Sequence, residues 1–311
     1  MTRNSRGVNK ASNKKYLFRY WQLYAMMVLP LFYFILFKYV PMFGNVLAFR
    51  RYRPGMGAFG TEWVGLQYFQ RFWNDPAFWS AFKNTLTLSV MNILVNFPIP
   101  ILFAVMLNEV GHYGFKKTVQ TVSYMPRFIS TVVVIAILGE LLSPSSGMLN
   151  ILMGRIFGKP PVYYMNSPEY FRVIYILIDT WQYTGWTAII YLAAITAIPP
   201  ELYEAAVIDG ATRIQQIRYI TIPAIMPTIM VMLILNIGRL LSLGFEKVLL
   251  MYTPDNSKVS DIIDTLVYRT GLANQNYSYA TAIGLFSGII GVILVARSNY
   301  MSKRLTGEGI Y

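Results

Sequence analysis

The chain of 311 residues contains no cysteine and a single histidine. The first absence excludes disulfides, thiolate catalysis and sulfur-ligated metals. The second makes a metal cluster or a nucleophile–base pair hard to build, which argues against a membrane enzyme. His112 lies in a short polar loop, where one isolated imidazole is ordinarily a surface group. No GxxxxGK[ST] phosphate loop occurs, so nothing in the chain is built to hold a nucleoside triphosphate. Charge is also scarce: 13% of residues are charged, against roughly 25% in soluble domains. Internal repeats, low-complexity tracts and linkers are absent, so a single membrane domain is expected.

What is present is apolar surface, with 55% of residues hydrophobic. A bilayer core about 30 Å thick needs about 20 mostly apolar residues per spanning helix. Such runs cover residues 20–40, 86–107, 119–142, 173–198, 224–251 and 282–296, the last reaching back to about Tyr277. The expected fold is therefore all-α, a polytopic membrane protein with about six transmembrane helices. The first run carries Pro30 and Pro41 and lacks a small-residue cleavage site, so it reads as a retained helix and not as a secretory signal.

The formal net charge of +13 needs no nucleic acid to explain it. Arg3, Arg6, Lys10, Lys14, Lys15 and Arg19 precede the first run with no acid among them. Such clusters stay on the cytoplasmic side, beside anionic lipid. The expected layout is a basic cytoplasmic tail over residues 1–19, a membrane domain over 20–300 and a second cytoplasmic tail over 301–311. Both termini are then inside, in agreement with Arg297, Lys303 and Arg304 after the last run. Arg50, Arg51, Arg53 and Arg71 fall in the first outer loop against this rule. Either the basic tail dominates, or these arginines serve a partner or an acidic solute.

Three loops carry information. Residues 44–80 are rich in aromatics, including Trp63, Tyr68, Phe69, Phe72, Trp73, Phe78 and Trp79. They suit either an amphipathic segment over 66–82 lying on the outer leaflet or a loop packed on the bundle. Residues 143–169 contain Pro144, Gly147, Pro160, Pro161 and Pro168, and are expected to be irregular, extracytoplasmic and open to a partner. The third loop, 199–223, is cytoplasmic by the count above.

The segment from residue 201 reads ELYEAAVIDGATRIQQIRYITIPAIMP. A short helix over 201–208 is predicted after Pro199 and Pro200, with Ala205 and Ala206 keeping one face slim enough to enter a groove. Gly210 permits a positive φ, and Asp209 can cap the helix that follows. That second helix, over 211–222, offers Ile214, Ile217, Tyr219 and Ile220 for packing and Gln215, Gln216 and Arg218 for water. A rigid hairpin of this kind transmits displacement; the plain alternative is an ordinary polar connection between spans.

Glu204, Ala205, Ala206, Asp209, Gly210, Ala211, Ile220, Pro223 and Pro227 together resemble the EAA loop of permease subunits from ATP-binding-cassette importers. PMFGNVLAFRRYRPGMGAFGTEWVGLQYFQRFW, NTLTLSV, YMPRFIS, EKVLLMYTP and YSYATAIGLF resemble the LplB-type polysaccharide and oligosaccharide branch. Arg127 stands where that branch leads us to expect His. The resemblance implies a type I importer permease fold in a bacterial cell membrane. It also implies that Glu204, Ala205, Ala206, Asp209, Gly210 and Ala211 couple the chain to the ATPase. The implied partners are a second permease read as a different chain, two subunits that use ATP and Mg, and an extracellular solute-binding protein that delivers an oligosaccharide. The chain itself is expected to hold no cofactor or metal.

A charge at the centre of a spanning helix costs roughly 2.5–3.5 kcal/mol on insertion scales, so it faces a cavity or a partner. Asp179 sits in IDTWQYTGW with Trp181, Gln182, Tyr183 and Trp186, a mixture of aromatic faces and hydrogen-bonding groups suited to sugars. Asn236, Arg239 and Glu246 are expected on one face of a continuous fifth helix. These eight residues either line a solute path or, for Arg239 and Glu246, neutralise groups of a partner. An ion-coupled secondary transporter of a polar solute is the alternative function, but it needs ion relays and often repeated halves.

Overall fold

The computed structural model describes residues 19–55, 57 and 59–306. Arg3, Arg6, Lys10, Lys14, Lys15 and the end of the C-terminal tail lie outside the described residues. The regular structure of the described residues is helical apart from one two-stranded ribbon, β1 (Arg50–Arg51) paired antiparallel with β2 (Glu62–Trp63).

Four helices are long and apolar enough to cross a bilayer unaided: α1 (Trp21–Phe49), α3 (Pro76–Glu109), α9 (Arg213–Gly238) and α12 (Tyr277–Thr306). Counting each of two bent pairs as one span gives six among the described residues. α4 (Tyr113–Phe128) meets α5 (Thr131–Leu141) at 98°, and α7 (Pro168–Thr196) meets α8 (Pro200–Ile208) at 69°. The shorter helices include α2 (Gln67–Trp73), α6 (Met148–Phe157), α10 (Phe245–Met251) and α11 (Ile263–Tyr268), with a single turn over Ser257–Ser260 between the last two. The chain is thus an all-α polytopic membrane protein.

α1 buries nothing before Ala48, so the chain itself covers almost none of this span. The aromatic outer loop packs on the bundle: Phe72 and Phe78 are buried with Ile263, Leu266, Tyr279 and Ile283. It does not form one surface helix, because α2 stops at Asn74 and Asp75 starts α3, its carboxylate accepting from the Ala77 amide at 2.9 Å. Three of the four arginines of the first loop contact nearby groups. Arg51 pairs with Glu62 at 3.0 Å, Arg71 lies 4.9 Å above the Tyr279 ring, and Arg50 donates to the Phe59 carbonyl.

Three expectations are corrected. The loop 143–169 is not simply irregular, because it contains α6. Asn150 ties that helix down by donating to the Ser143 and Val162 carbonyls, both at 2.9 Å. The third span is not straight: Pro126 tightens Met125–Phe128 into a 3₁₀ turn, and Ser130 caps a new helix by accepting from the Val133 amide. The fifth span does not reach Met251. α9 ends at Gly238, residues 239–244 are irregular, and α10 begins at Phe245. Arg239, Asn236 and Glu246 therefore do not share one helical face. Unpaired backbone inside a bilayer must find partners; here the Ser89 hydroxyl donates to the Leu240 carbonyl that the break exposes.

Candidate translocation cavity and coupling hairpin

The break in the fifth span opens onto a cavity of about 590 Å³. α3 supplies Ser89, Asn92 and Asn96, α7 supplies Tyr175, Asp179, Tyr183 and Thr187, and α9 with the break supplies Asn236, Arg239 and Ser242. α10 adds Glu246 and Lys247. A larger cleft of about 660 Å³ beside α12 is lined mainly by glycines and aliphatic side chains, with Asp264 as its charged group. Its chemistry offers little to a polyhydroxylated solute, so the smaller, polar cavity is the better path candidate.

One wall of that cavity is a polar chain crossing three elements. The Lys247 ammonium contacts the Asp179 carboxylate, and the Lys247 side chain is only 4% exposed. The same ammonium lies 5.3 Å from the Tyr175 ring centroid and 5.1 Å from that of Tyr183. Asn92 donates to the other Asp179 oxygen at 3.0 Å, Asn96 donates to Asn92, and the Thr180 hydroxyl donates to Asn96. Each buried polar group is answered by the next, as a low-dielectric setting requires.

Of the eight path residues read from the sequence, Asp179, Tyr183, Asn236, Arg239 and Glu246 line this cavity. The other three stand elsewhere. Gln182 is buried and donates to the Ile129 carbonyl at 3.0 Å, which serves the bend in the third span. Trp186 meets the Phe128 ring edge-on at 5.7 Å, and Trp181 is exposed outside the cavity. Lys247, Asn92 and Asn96 went unread. An intramembrane lysine is as costly as an aspartate, and an Asn pair spaced i, i+4 shares a helix face, so both signals were present.

At the far end of α7 the chain bends into α8. Glu204, Ala205 and Asp209 are exposed, as are Val207 and Ile208. Gly210 takes φ +78°, as the turn reading required, and the Ala211 amide closes the turn on the Ala206 carbonyl at 2.8 Å. The cap of the following helix is Thr212 and not Asp209. Thr212 and Gln215 form a reciprocal capping box, a T-x-x-Q signature legible in the sequence. Side-chain facing is also corrected: Ile214 and Tyr219 point outward, whereas Gln216 is buried and donates to the Ala211 carbonyl. Ile217 and Ile220 do pack, against the cluster around Tyr191 and Ile225.

Residues 77–307 match the family described as "Binding-protein-dependent transport system inner membrane component". The chain belongs to that family. As a member it is a membrane-embedded permease subunit of an ATP-binding-cassette importer, working with a second permease and a binding protein, while separate subunits hydrolyse ATP. The ion-coupled alternative falls with this membership.

Among the curated relatives, the chain is 47% identical over 289 residues to the polygalacturonan/rhamnogalacturonan transport system permease protein YteP of Bacillus subtilis (strain 168), covering 93% of this chain and 90% of that one. It is 40% identical to protein LplB of the same organism, over 93% and 91% of the two chains. A solved bacterial transporter "involved in the import of the acidic polysaccharide alginate" superposes with a TM-score of 0.87 at 42% identity, over 95% of this chain and 99% of that one. A second structure shows the bacterial alginate transporter in complex with an alginate pentasaccharide-bound periplasmic protein, again at TM-score 0.87.

Proposed function

We propose that this permease subunit carries saccharides through the cavity beside Asp179 and Lys247, and receives its driving force through the hairpin around Gly210. The printed substrates of the relatives, polygalacturonan, rhamnogalacturonan and alginate, support a saccharide cargo. In this reading both termini are cytoplasmic and the second permease is a different chain. Two ATP-binding subunits using Mg sit beneath the hairpin, and an extracellular binding protein delivers an oligosaccharide to the outer face.

A single observation carries the reading: the two helices that flank the hairpin both line the cavity. α7 runs from Tyr175, Asp179 and Tyr183 to the bend before α8. α9 starts one residue after the Thr212 cap and ends at Asn236 and Arg239. Its 26 residues make a rod of about 39 Å at a rise of about 1.5 Å per residue. Displacement at the hairpin therefore reaches the cavity along two stiff elements. Driving such a two-state switch from about 1:99 to 99:1 takes about 5.5 kcal/mol of differential binding, which a firmly docked helix can deliver.

Gly210→Pro forces φ from +78° to about −65°, and Asp209→Lys reverses a charge on the docking face. In liposomes containing the assembled transporter, both variants are expected to insert and assemble with the partner permease, keep ATPase activity, and lose uptake. Normal uptake in both would show that the hairpin is only a connector.

A further inference from the structure

The charged groups at the cavity are not equivalent. Lys247 and Asp179 spend their charges on each other inside the wall. The Lys247 side chain is 4% exposed and its ammonium is enclosed by Asp179, Tyr175 and Tyr183. Both Asp179 oxygens are occupied, one by Lys247 and one by Asn92. At the cavity wall these two charges are already matched by each other.

Arg239 is different. It closes the C-terminal end of α9, lines the cavity and is exposed, and its guanidinium has no ion pair or hydrogen bond among the described residues. Arg127, exposed on the 3₁₀ turn, lies 5.0 Å from the centroid of Tyr183, itself a cavity-lining ring. It too lacks a carboxylate partner among the described residues. Against these two guanidiniums stands one unmatched carboxylate, Glu246, which lines the same cavity but forms no ion pair with Arg239. Once the Asp179–Lys247 pair is set aside, the cavity lining holds one guanidinium and one carboxylate that form no ion pair, and Arg127 beside Tyr183 adds a second positive charge next to it.

A neutral sugar asks for hydroxyl and amide partners and has no use for an unmatched guanidinium. In a site that sheds water around its cargo, such a group is costly unless the cargo supplies an anion. A guanidinium fork matches a carboxylate with two parallel hydrogen bonds. We propose that Arg239, with Arg127 beside Tyr183, forms a carboxylate-reading subsite, so that the path is selective for uronate-bearing saccharides. This inference rests on the saccharide-path reading above.

The test uses the complete transporter in liposomes, with wild type, Arg239→Gln, Arg239→Lys and Arg127→Gln compared on two probes. One is a uronic-acid trisaccharide and the other its carboxyl-reduced, neutral counterpart. The binding protein is common to all, so its own preference cancels in the variant-to-wild-type ratios. Arg239→Gln is expected to lower uronate uptake about tenfold or more, the scale of a lost charge-assisted hydrogen bond, while sparing the neutral probe. Arg239→Lys keeps part of the uronate uptake, and Arg127→Gln moves the ratio the same way by less. If Arg239→Gln does not assemble, the Arg239→Lys and Arg127→Gln ratios decide. Equal loss on both probes would overturn the subsite and leave the saccharide path standing. A wild-type transporter that couples ATP hydrolysis to its binding protein yet moves neither probe would overturn both.

Discussion

Lys247 lies next in sequence to Glu246, yet the two side chains have opposite fates. Glu246 is exposed to the cavity, whereas Lys247 is buried against Asp179 from a helix 68 residues away. Removing one member of a buried pair strands the other, at a cost of about 3–5 kcal/mol, whereas replacing both by groups of similar volume is often close to neutral. Lys247→Met and Asp179→Asn are each expected to lower the thermal unfolding temperature of the purified subunit complex. The double variant should recover a substantial part of the loss. Additive losses in the double variant would mean that the two groups act separately and that the contact contributes nothing. Asp179 was legible as an expensive intramembrane acid, but its partner was not, since nothing local says which distant cation will answer it.

At the scale of elements, the junction between α7 and α4 depends on Gly185. A Cβ built there would stand 2.2 Å from the Ser123 carbonyl oxygen and 2.8 Å from the Ser123 side chain. Neither a methyl nor anything larger fits without moving one helix. Gly185→Val is therefore expected to separate α7 from the bent third span and dislodge Gln182 from the Ile129 carbonyl. Limited proteolysis near residues 125–130 should then rise together with a fall in unfolding temperature; an unchanged cleavage pattern would show that the contact yields without cost. The glycine was visible within IDTWQYTGW, but its reason was not, because the obstruction comes from another helix. The break after Gly238 was hidden in the same way. Hydropathy continues through residues 239–251, and only the capture of the Leu240 carbonyl by Ser89 shows where the helix ends.

For the whole molecule, the exposed apolar side chains fall into two kinds. Those on α1, such as Leu29 and Phe32, belong to a span that a bilayer or a partner permease can cover. Those on the hairpin, Val207 at 60% exposed, Ile208 at 86% and Ile214 at 77%, cluster at the turn between α8 and the start of α9, the face that the proposed function assigns to docking. Ile208→Lys combined with Ile214→Lys is expected to abolish co-purification of the ATP-binding subunits while the second permease still co-purifies. Retention of both partners would place the docking face elsewhere. Such a result is independent of the path, since none of these residues lines the cavity.

The sequence by itself determined the all-helical membrane architecture, the six apolar runs and the hairpin with its positive-φ glycine and importer resemblance. These follow from hydropathy, backbone sterics and contiguous motifs, which are properties of neighbours along the chain. Tertiary structure alone decided which charges are paired inside the wall and which line the cavity without an ion pair. It also decided where the third and fifth spans break, and why three of the eight polar or aromatic residues read as a path stand outside the cavity. Each of those outcomes depends on what a residue from a distant helix places against the site, and a buried charge or an exposed carbonyl takes its partner through space.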